Sequence, residues 1–253
     1  MVDMGAPDAP VQAVTFDFWN TLMHEQFSMR DRRLGAWLGL LEGEGAAVER
    51  AAIGAAYEQS WHRFQQAWHA NLRYDAADAV RDLLEHLDLS PSDAVVSDLV
   101  AVITDPDPSW RPDATENVGE ALEALSSAGV RIGIICDVGL TPSRILRRYL
   151  QDHGLLSYFD HWSFSDEVGT FKPDPEIFRH ALDGLGGVDP GRAAHIGDLR
   201  RTDVAGAQGM GILAVRYHGV HDDTASAEAG TEDVEGDVVL ADHRELPAAL
   251  GIA

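Results

Sequence analysis

Four short stretches of the 253-residue chain hold residue types that can do chemistry. Asp17 closes the run Val-Gln-Ala-Val-Thr-Phe and is followed by Phe18, Trp19, Asn20 and Thr21. Cys136 and Asp137 close Val-Arg-Ile-Gly-Ile-Ile. Lys172 lies between Phe171 and Pro173, in Lys-Pro-Asp-Pro, and Gly197, Asp198 and Asp203 follow an apolar run at 193–196. A carboxylate can serve as a nucleophile, and paired carboxylates are oxygen donors for a hard divalent cation. A compact ammonium can neutralise both an attacking carboxylate and an anionic group moving onto it. Of the 19 basic residues one, Lys172, is a lysine. Each residue also has a plainer reading. The lone lysine can be chance, Asp198 and Asp203 can cap a helix, and Cys136 can be a small buried hydrophobe.

The elements around these residues decide whether they meet. Val11–Trp19 reads as a buried strand, rich in β-branched and aromatic residues. From Met23 to Val102 strand signals vanish and Ala, Leu, Glu and Arg dominate, which predicts four helices near 27–43, 46–71, 75–88 and 91–103. Ser90 and Pro91 read as the N-cap and first turn of the fourth. Trp61, Phe64 and Trp68 fall on one stripe of the second; the stripe reads first as core of the helical insertion, with a face overlooking the active site as the alternative. Asp105–Pro112, with three prolines, reads as a hinge. Strands at 130–136, 161–164, 193–197, 211–217 and 238–240 then alternate with helices. That order predicts a Rossmann-like α/β fold, a parallel sheet with helices on both faces, plus a four-helix domain. Residues 11–22 and 113–253 form the core domain and 23–112 the insertion. Met1–Pro10 reads as a loose leader, and the acidic stretch 221–236 as a polar insert. In an open parallel sheet ligands sit beyond the carboxyl ends of the strands. Asp17, Cys136, Asp137, Lys172, Asp198 and Asp203 therefore converge on one edge.

This constellation resembles the haloacid dehalogenase superfamily over nearly the whole chain. The matching features are the aspartate ending strand one with Thr21 and Leu22 behind it, the second-motif position at Cys136, Lys172, and Gly197-Asp198 with Asp203. The resemblance implies a helical cap inserted after the first strand, which favours small substrates. It also implies a Mg2+-dependent hydrolase of phosphatase type, acting on a small phosphorylated metabolite through an aspartyl phosphate. Asp17 is then the nucleophile. Asp17, Asp198 and the Trp19 carbonyl are metal ligands, and Asp203 supports the site as a ligand or from behind one. Lys172 neutralises charge, while Phe18, Trp19, Asn20, Thr21, Cys136 and Asp137 line the phosphoryl site, some through backbone N–H groups.

Three residues depart from the family pattern. Trp19 stands where phosphatases of the family carry a second aspartate, the general acid for the leaving group. Cys136 replaces a Ser or Thr with a weaker donor. Asp137 replaces a common Asn, and its charge opposes a phosphate unless it is protonated or turned away. His24 and Glu25 are candidates for the missing proton source. Two other readings stay open: a carbon–halogen hydrolase like the 2-haloacid dehalogenases, which carry an aromatic residue at the Trp19 position, and a non-catalytic binder of a phosphorylated ligand or protein.

The formal charge of −23 argues against nucleic acid and anionic membranes as partners, since both need a basic surface. One cysteine precludes a disulfide framework within the chain and fits a reducing compartment. No apolar run approaches the ~20 residues of a membrane span, and no basic n-region precedes an apolar segment at the start. The cytoplasm is the expected location. The sequence leaves the oligomeric state open.

Overall fold

The computed structural model describes residues 10–25, 27–224 and 234–252. The expected leader lies outside the described residues except for Pro10, as do 225–233 of the acidic insert. The chain divides into two compact units. One holds the residues up to Glu25, Pro112–Asp137 and Arg147 onward; the other holds Gln26–Arg111 and Val138–Leu146.

The first unit opens with β1 (Ala13–Phe16), buried at all four positions. A two-residue strand, β2 (Met23–His24), follows. The helical unit contributes α1 (Phe27–Gly43), α2 (Arg50–His69), α3 (Ala76–His86) and α4 (Asp93–Thr104). The chain then returns through β3 (Asp113–Ala114), α5 (Val118–Ser127), β4 (Arg131–Cys136), α6 (Ser143–Asp152), β5 (His161–Phe164) and α7 (Ser165–Val168). It ends with α8 (Pro175–Gly184), β6 (Ala193–Gly197), α9 (Ala205–Met210), β7 (Leu213–Tyr217), β8 (Val238–Leu240) and α10 (Leu246–Ala249).

The six long-range strands form one parallel sheet in the order β5-β4-β1-β6-β7-β8. This is the doubly wound Rossmann-like arrangement, and its strand order reverses beside β1. Successive side chains on a strand face opposite ways. Ala13 of β1 therefore joins Ile177, Phe178 and Ala181 of α8 and Ala207 of α9 in one core. Phe16 faces the other way and meets Phe159 and His243. Asp174 caps α8 by accepting the Glu176 N–H at 2.8 Å, with Pro175 in the first turn, where its missing N–H costs nothing.

The helical unit closes on its own core. Leu34, Trp37 and Leu41 recur at helical spacing on α1 and meet Ile53, Ala56, Val80, Leu83, Leu99 and Ile103. Trp37 Nε1 donates to the Leu99 carbonyl at 2.8 Å. Two expectations are corrected here. The cap of α4 is Ser92, whose hydroxyl accepts the Val95 N–H, rather than Ser90. The aromatic stripe of α2 is not core. Its buried residues are Ile53, Ala56 and Ser60, while Trp61 is 38% exposed. The rings pack against one another instead, Trp61 tilted on Phe64 at 5.0 Å and Phe64 edge-on to Tyr74 at 6.0 Å.

The division differs from the sequence reading at two places. Met23–His24 pairs with Asp113–Ala114 and so stays with the sheet-bearing unit. Val138–Leu146 joins the helical unit, where Leu140 packs on the helical core. Among the described residues no helix is long and apolar enough to cross a membrane.

Candidate active site

Asp17 sits one residue past β1, and its N–H extends the ladder to the Ile196 carbonyl at 2.8 Å. Beyond it the chain folds back at once. Leu22 and Met23 both donate their N–H groups to the Phe18 carbonyl at 2.9 Å, and Asn20 N–H donates to the Met23 carbonyl at 2.6 Å. The turn needs a left-handed residue, and Asn20 takes it with φ of 58°; Asn is among the side chains that tolerate this region best. The Thr21 carbonyl accepts from Thr115 Oγ1 at 2.7 Å and from His243 Nε2 at 2.8 Å.

Lys172 enters from the segment before α8. Its Nζ lies 2.5 Å from Asp17 Oδ1 and 2.5 Å from Asp203 Oδ1, and the residue is 2% exposed. Its own N–H donates to Asp137 Oδ1 at 3.0 Å. Asp137 is thus turned, through Oδ1, toward the lysine main chain.

The loop after β6 supplies the rest. Residues Arg200–Val204 form a single π-helical turn leading into α9, a local geometry frequent at functional sites. The turn sets Asp203 under Gly197, where an added Cβ would stand 2.2 Å from Asp203 Cγ. Only a glycine fits there. Asp203 Oδ1 also accepts from His195 Nε2 at 3.0 Å, and Oδ2 accepts from Leu199 N–H at 3.0 Å and Thr202 Oγ1 at 3.3 Å. Asp198 Oδ2 accepts from Asn20 Nδ2 at 3.2 Å, which ties this loop to the turn after β1. Arg200 N–H and Nε donate to Asp223 Oδ2 and its carbonyl, each at 2.7 Å, and fix the loop from outside.

Charge in this cluster is unbalanced. Burial lifts the Asp17 carboxyl to about 7 against the pull of Lys172, and the charge of Asp203 pushes it further up. Burial, then the charges of Asp17 and Asp203, raise Asp198 well above the usual carboxylate range. Burial acts on Asp203 too, but the Lys172 charge and the His195 hydrogen bond hold it below that range. Burial disfavours the Lys172 ammonium, yet Asp17, Asp203 and Asp137 keep it firmly charged. Burial, reinforced by the charge of Asp17, raises the Cys136 thiol, which stays protonated.

Asp17, Lys172, Asp203 and Asp137 are therefore joined by hydrogen bonds or ion pairs, and Asp198, bonded to Asn20, meets them through charge. Cys136 ends β4, fully buried. Of the N–H groups expected to cradle an anion, that of Phe18 faces the Asp17 carboxylate and that of Asn20 is taken by Met23. Trp19 is half-buried, edge-on to Phe18 at 5.0 Å. Thr21 is fully buried, and among the described residues its Oγ1 has no hydrogen-bond partner. His24 lines a cavity of about 290 Å³ with Glu116, Tyr217 and Asp242; Asp17, Lys172 and Asp198 are not in its lining. Glu25 is exposed. His195 and Thr15 escape a sequence reading because each sits inside an apolar strand, with no motif to single it out. The packing role of Gly197 is equally silent in the sequence, because it depends on where the turn folds Asp203 back.

The donor set fits a hard divalent cation. Burial pushes both Asp17 and Asp198 toward protonation, the Asp203 charge adds to each and the Asp17 charge adds to Asp198; a cation at these carboxylates would remove that cost. Both Asp203 oxygens are already engaged. Among the described residues no three His, Cys, Asp or Glu side chains group as a metal cluster. Mg2+ does not need one, since it ordinarily takes one or two carboxylates and keeps several waters.

Comparison with known proteins fits this architecture. The chain is 28% identical over 178 residues to the haloacid dehalogenase-like hydrolase domain-containing protein 3 of Bos taurus, covering 66% of this chain and 68% of that one. It is 35% identical over 100 residues to the glyceraldehyde 3-phosphate phosphatase of Pyrococcus abyssi, covering 39% and 40%. The crystal structure of a HAD phosphatase from Thermococcus onnurineus superposes with a TM-score of 0.66 at 25% identity, over 96% of this chain and 99% of that one. Residues 11–211 match the haloacid dehalogenase-like hydrolase family model. With an aspartate at the end of β1, a buried lysine across from it and a Gly-Asp loop beyond β6, the chain belongs to that family and is a hydrolase.

Proposed function

We propose that the chain is a Mg2+-dependent phosphatase of a small phosphorylated metabolite, working through an aspartyl phosphate on Asp17. The observation that carries this reading is the buried Lys172 ammonium, 2.5 Å from Asp17 and 2.5 Å from Asp203. It leaves one carboxylate beside Lys172 to attack and a second, Asp198, for a cation. The phosphatases among the relatives support a small phosphorylated substrate. A cytoplasmic setting accords with a cysteine that is free and buried.

Asp17, Asp198 and the Trp19 carbonyl would hold Mg2+, and Asp203, with both oxygens engaged, holds Lys172 instead. When bound, the ion screens the repulsion between carboxylate and phosphate and polarises a phosphoryl oxygen. Asp17 Oδ attacks phosphorus while Lys172 neutralises charge on the transferring group. The bond from phosphorus to the leaving oxygen breaks, and that oxygen keeps the electron pair. Water then opens the acyl phosphate, releasing inorganic phosphate and restoring Asp17.

Trp19 shapes the specificity. An indole donates no proton at neutral pH, so the leaving group takes its proton from solvent. General-acid assistance is worth about 10²–10⁴-fold, and an enzyme without it favours leaving groups that depart as stable anions. Aryl and acyl phosphates are the expected substrates, ahead of alkyl esters. The test is a phosphatase panel with and without Mg2+, which includes matched aryl and alkyl phosphates and 2-haloacids. Metal-dependent phosphate release, faster from aryl than alkyl esters and abolished by Asp17→Asn, supports the assignment. Metal-independent halide release replaces it with the dehalogenase reading. No turnover, with beryllium fluoride and Mg2+ failing to stabilise wild type over Asp17→Asn, replaces it with the binder reading.

A further inference from the structure

His195 is 1% exposed in the middle of β6, between the catalytic-loop glycine and the core. It pairs in register with Thr15 of β1, so both side chains lie on one face of the sheet. Its Nε2 is 3.0 Å from Asp203 Oδ1 and its Nδ1 is 2.9 Å from Thr15 Oγ1. The Phe178 ring meets it edge-on at 5.3 Å. Asp203 is ionised beside Lys172 and can only accept, so Nε2 carries the proton. The burial that depresses the imidazole below its usual range agrees with a single ring proton. Nδ1 is then bare and accepts the Thr15 hydroxyl at 2.9 Å, nearer than the Ala194 carbonyl that the same hydroxyl meets at 3.3 Å. Two hydrogen bonds of opposite sense fix both the tautomer and the plane of the ring.

The consequence falls on Lys172. Asp203 Oδ1 receives two donors, the ammonium at 2.5 Å and the imidazole at 3.0 Å. Without the second donor, the full charge of that oxygen would act on Lys172 and draw it away from Asp17. A neutral donor shares the load without adding a second positive charge beside the ammonium. We propose that His195 is a positioning residue: as the Nε2–H tautomer oriented by Thr15, it seats Asp203 and thereby sets Lys172 against Asp17. Its kinetic consequence rests on the phosphatase reading; its structural consequence does not.

The single lysine makes the test specific, because labelling lysine with ¹⁵N gives one Nζ resonance, that of Lys172. Histidine labelling reads the tautomer. In wild type, His195 shows one bare and one protonated ring nitrogen, and the Lys172 ammonium exchanges slowly. His195→Phe keeps the bulk and removes both bonds. It shifts the ammonium signal, speeds its exchange and lowers kcat about 10- to 100-fold, the worth of a charge-assisted hydrogen bond, with KM within about threefold. His195→Gln, whose amide nitrogen replaces Nε2, restores the signal and most of kcat. Thr15→Val should broaden the tautomer signals and weaken kcat in the same direction, and it serves if His195→Phe does not fold. Identical Phe and Gln variants, an unmoved ammonium signal, or Thr15→Val without effect on the tautomer overturn the proposal. If wild type releases no phosphate from the panel, the functional reading fails, and the ammonium signal still decides the positioning role.

Discussion

Replacing Gly197 with alanine is the smallest change that should dismantle the candidate site. The added Cβ would stand 2.2 Å from Asp203 Cγ and 2.6 Å from its Cβ and Oδ1. Carbon atoms in contact sit about 3.5–4.0 Å apart, so the carboxylate must retreat by more than about 1 Å. It cannot do so and keep its bonds to Lys172 at 2.5 Å, to His195 and Leu199 N–H at 3.0 Å and to Thr202 at 3.3 Å. Overpacking costs about 1–3 kcal/mol, and each charge-assisted bond weakened adds about 1.5–3 kcal/mol at full loss. A net destabilisation of about 3 kcal/mol follows, since the pocket relaxes in part. A misplacement of about 1 Å costs on the order of 10²-fold in turnover. Urea unfolding and kcat/KM on an aryl phosphate read the two effects separately. Gly209→Ala is the control. Its Cβ would meet nothing within 4 Å and its φ is not positive, so it should be neutral or stabilising by up to about 1 kcal/mol. Gly197→Ala with turnover within about threefold of wild type and unchanged stability would refute the seating of Asp203 described above.

Three further outcomes follow from the same geometry. Trp19→Asp should raise alkyl phosphate turnover by up to about 10²–10⁴-fold and move aryl turnover little; if wild type already prefers the alkyl ester, or the variant gains nothing, leaving-group protonation is not what Trp19 limits. Asp198→Asn should raise the Tm in metal-free buffer, because it removes a buried carboxylate that Asp17 and Asp203 repel and keeps an acceptor for Asn20. In the variant, Mg2+ should add nothing, whereas a ligand at 100 times Kd adds about 2.7 kcal/mol to a competent site; equal metal stabilisation in both proteins counts against Asp198 as a ligand. His243 is fully buried, and burial lowers its imidazole from 6.5 to about 4. The unfolded chain takes up the proton first, so the neutral ring's contribution is intact above 6.5 and is lost as pH falls from 6.5 through 4. That amounts to about 2 kcal/mol between pH 7.5 and 5, measurable as a fall in urea stability that His243→Phe lacks; a wild type no more acid-sensitive than the variant contradicts it.

The parallel sheet follows from pattern, because buried strands such as Ala-Val-Thr-Phe and helix caps such as Asp174-Pro175 are local signals; the order of its strands does not, since pairing partners lie far apart in the chain. The pairing of β2 with β3 was not legible. Two-residue strands carry no periodicity, and Met23 and Ala114 find each other only because the chain leaves and re-enters the sheet there. The stripe of Trp61, Phe64 and Trp68 misled for the opposite reason. Its helical spacing is real, but spacing says which residues share a face and not whether anything covers it. In the candidate site, residues just past strand ends were legible because topology alone brings them to one edge. Asp137 was legible in position and not in direction, since its orientation depends on a bond to the main chain of Lys172, 35 residues away. Thr15 and His195 were silent because a polar residue inside a strand looks like an interruption until its cross-strand partner is known.

The choice of lysine at position 172 follows from the same constraints. The ammonium is 2% exposed and meets two carboxylate oxygens at 2.5 Å each, from residues on different strands' ends. A guanidinium spreads its charge over a planar fork that suits one carboxylate bidentately. It would bind Asp17 or Asp203 in preference to bridging them and, on the proposed phosphatase reading, crowd the phosphoryl group. A point charge with three rotatable donors can hold one carboxylate permanently and release the other as that oxygen forms a bond to phosphorus. Lys172→Arg should therefore fold, since the charge count is kept, and lose at least about 10²-fold in turnover. It should also lose the ability of beryllium fluoride with Mg2+ to raise the Tm. An Arg variant that retains turnover would mean that bulk positive charge suffices, and that the shared contact between Asp17 and Asp203 is not what the site requires.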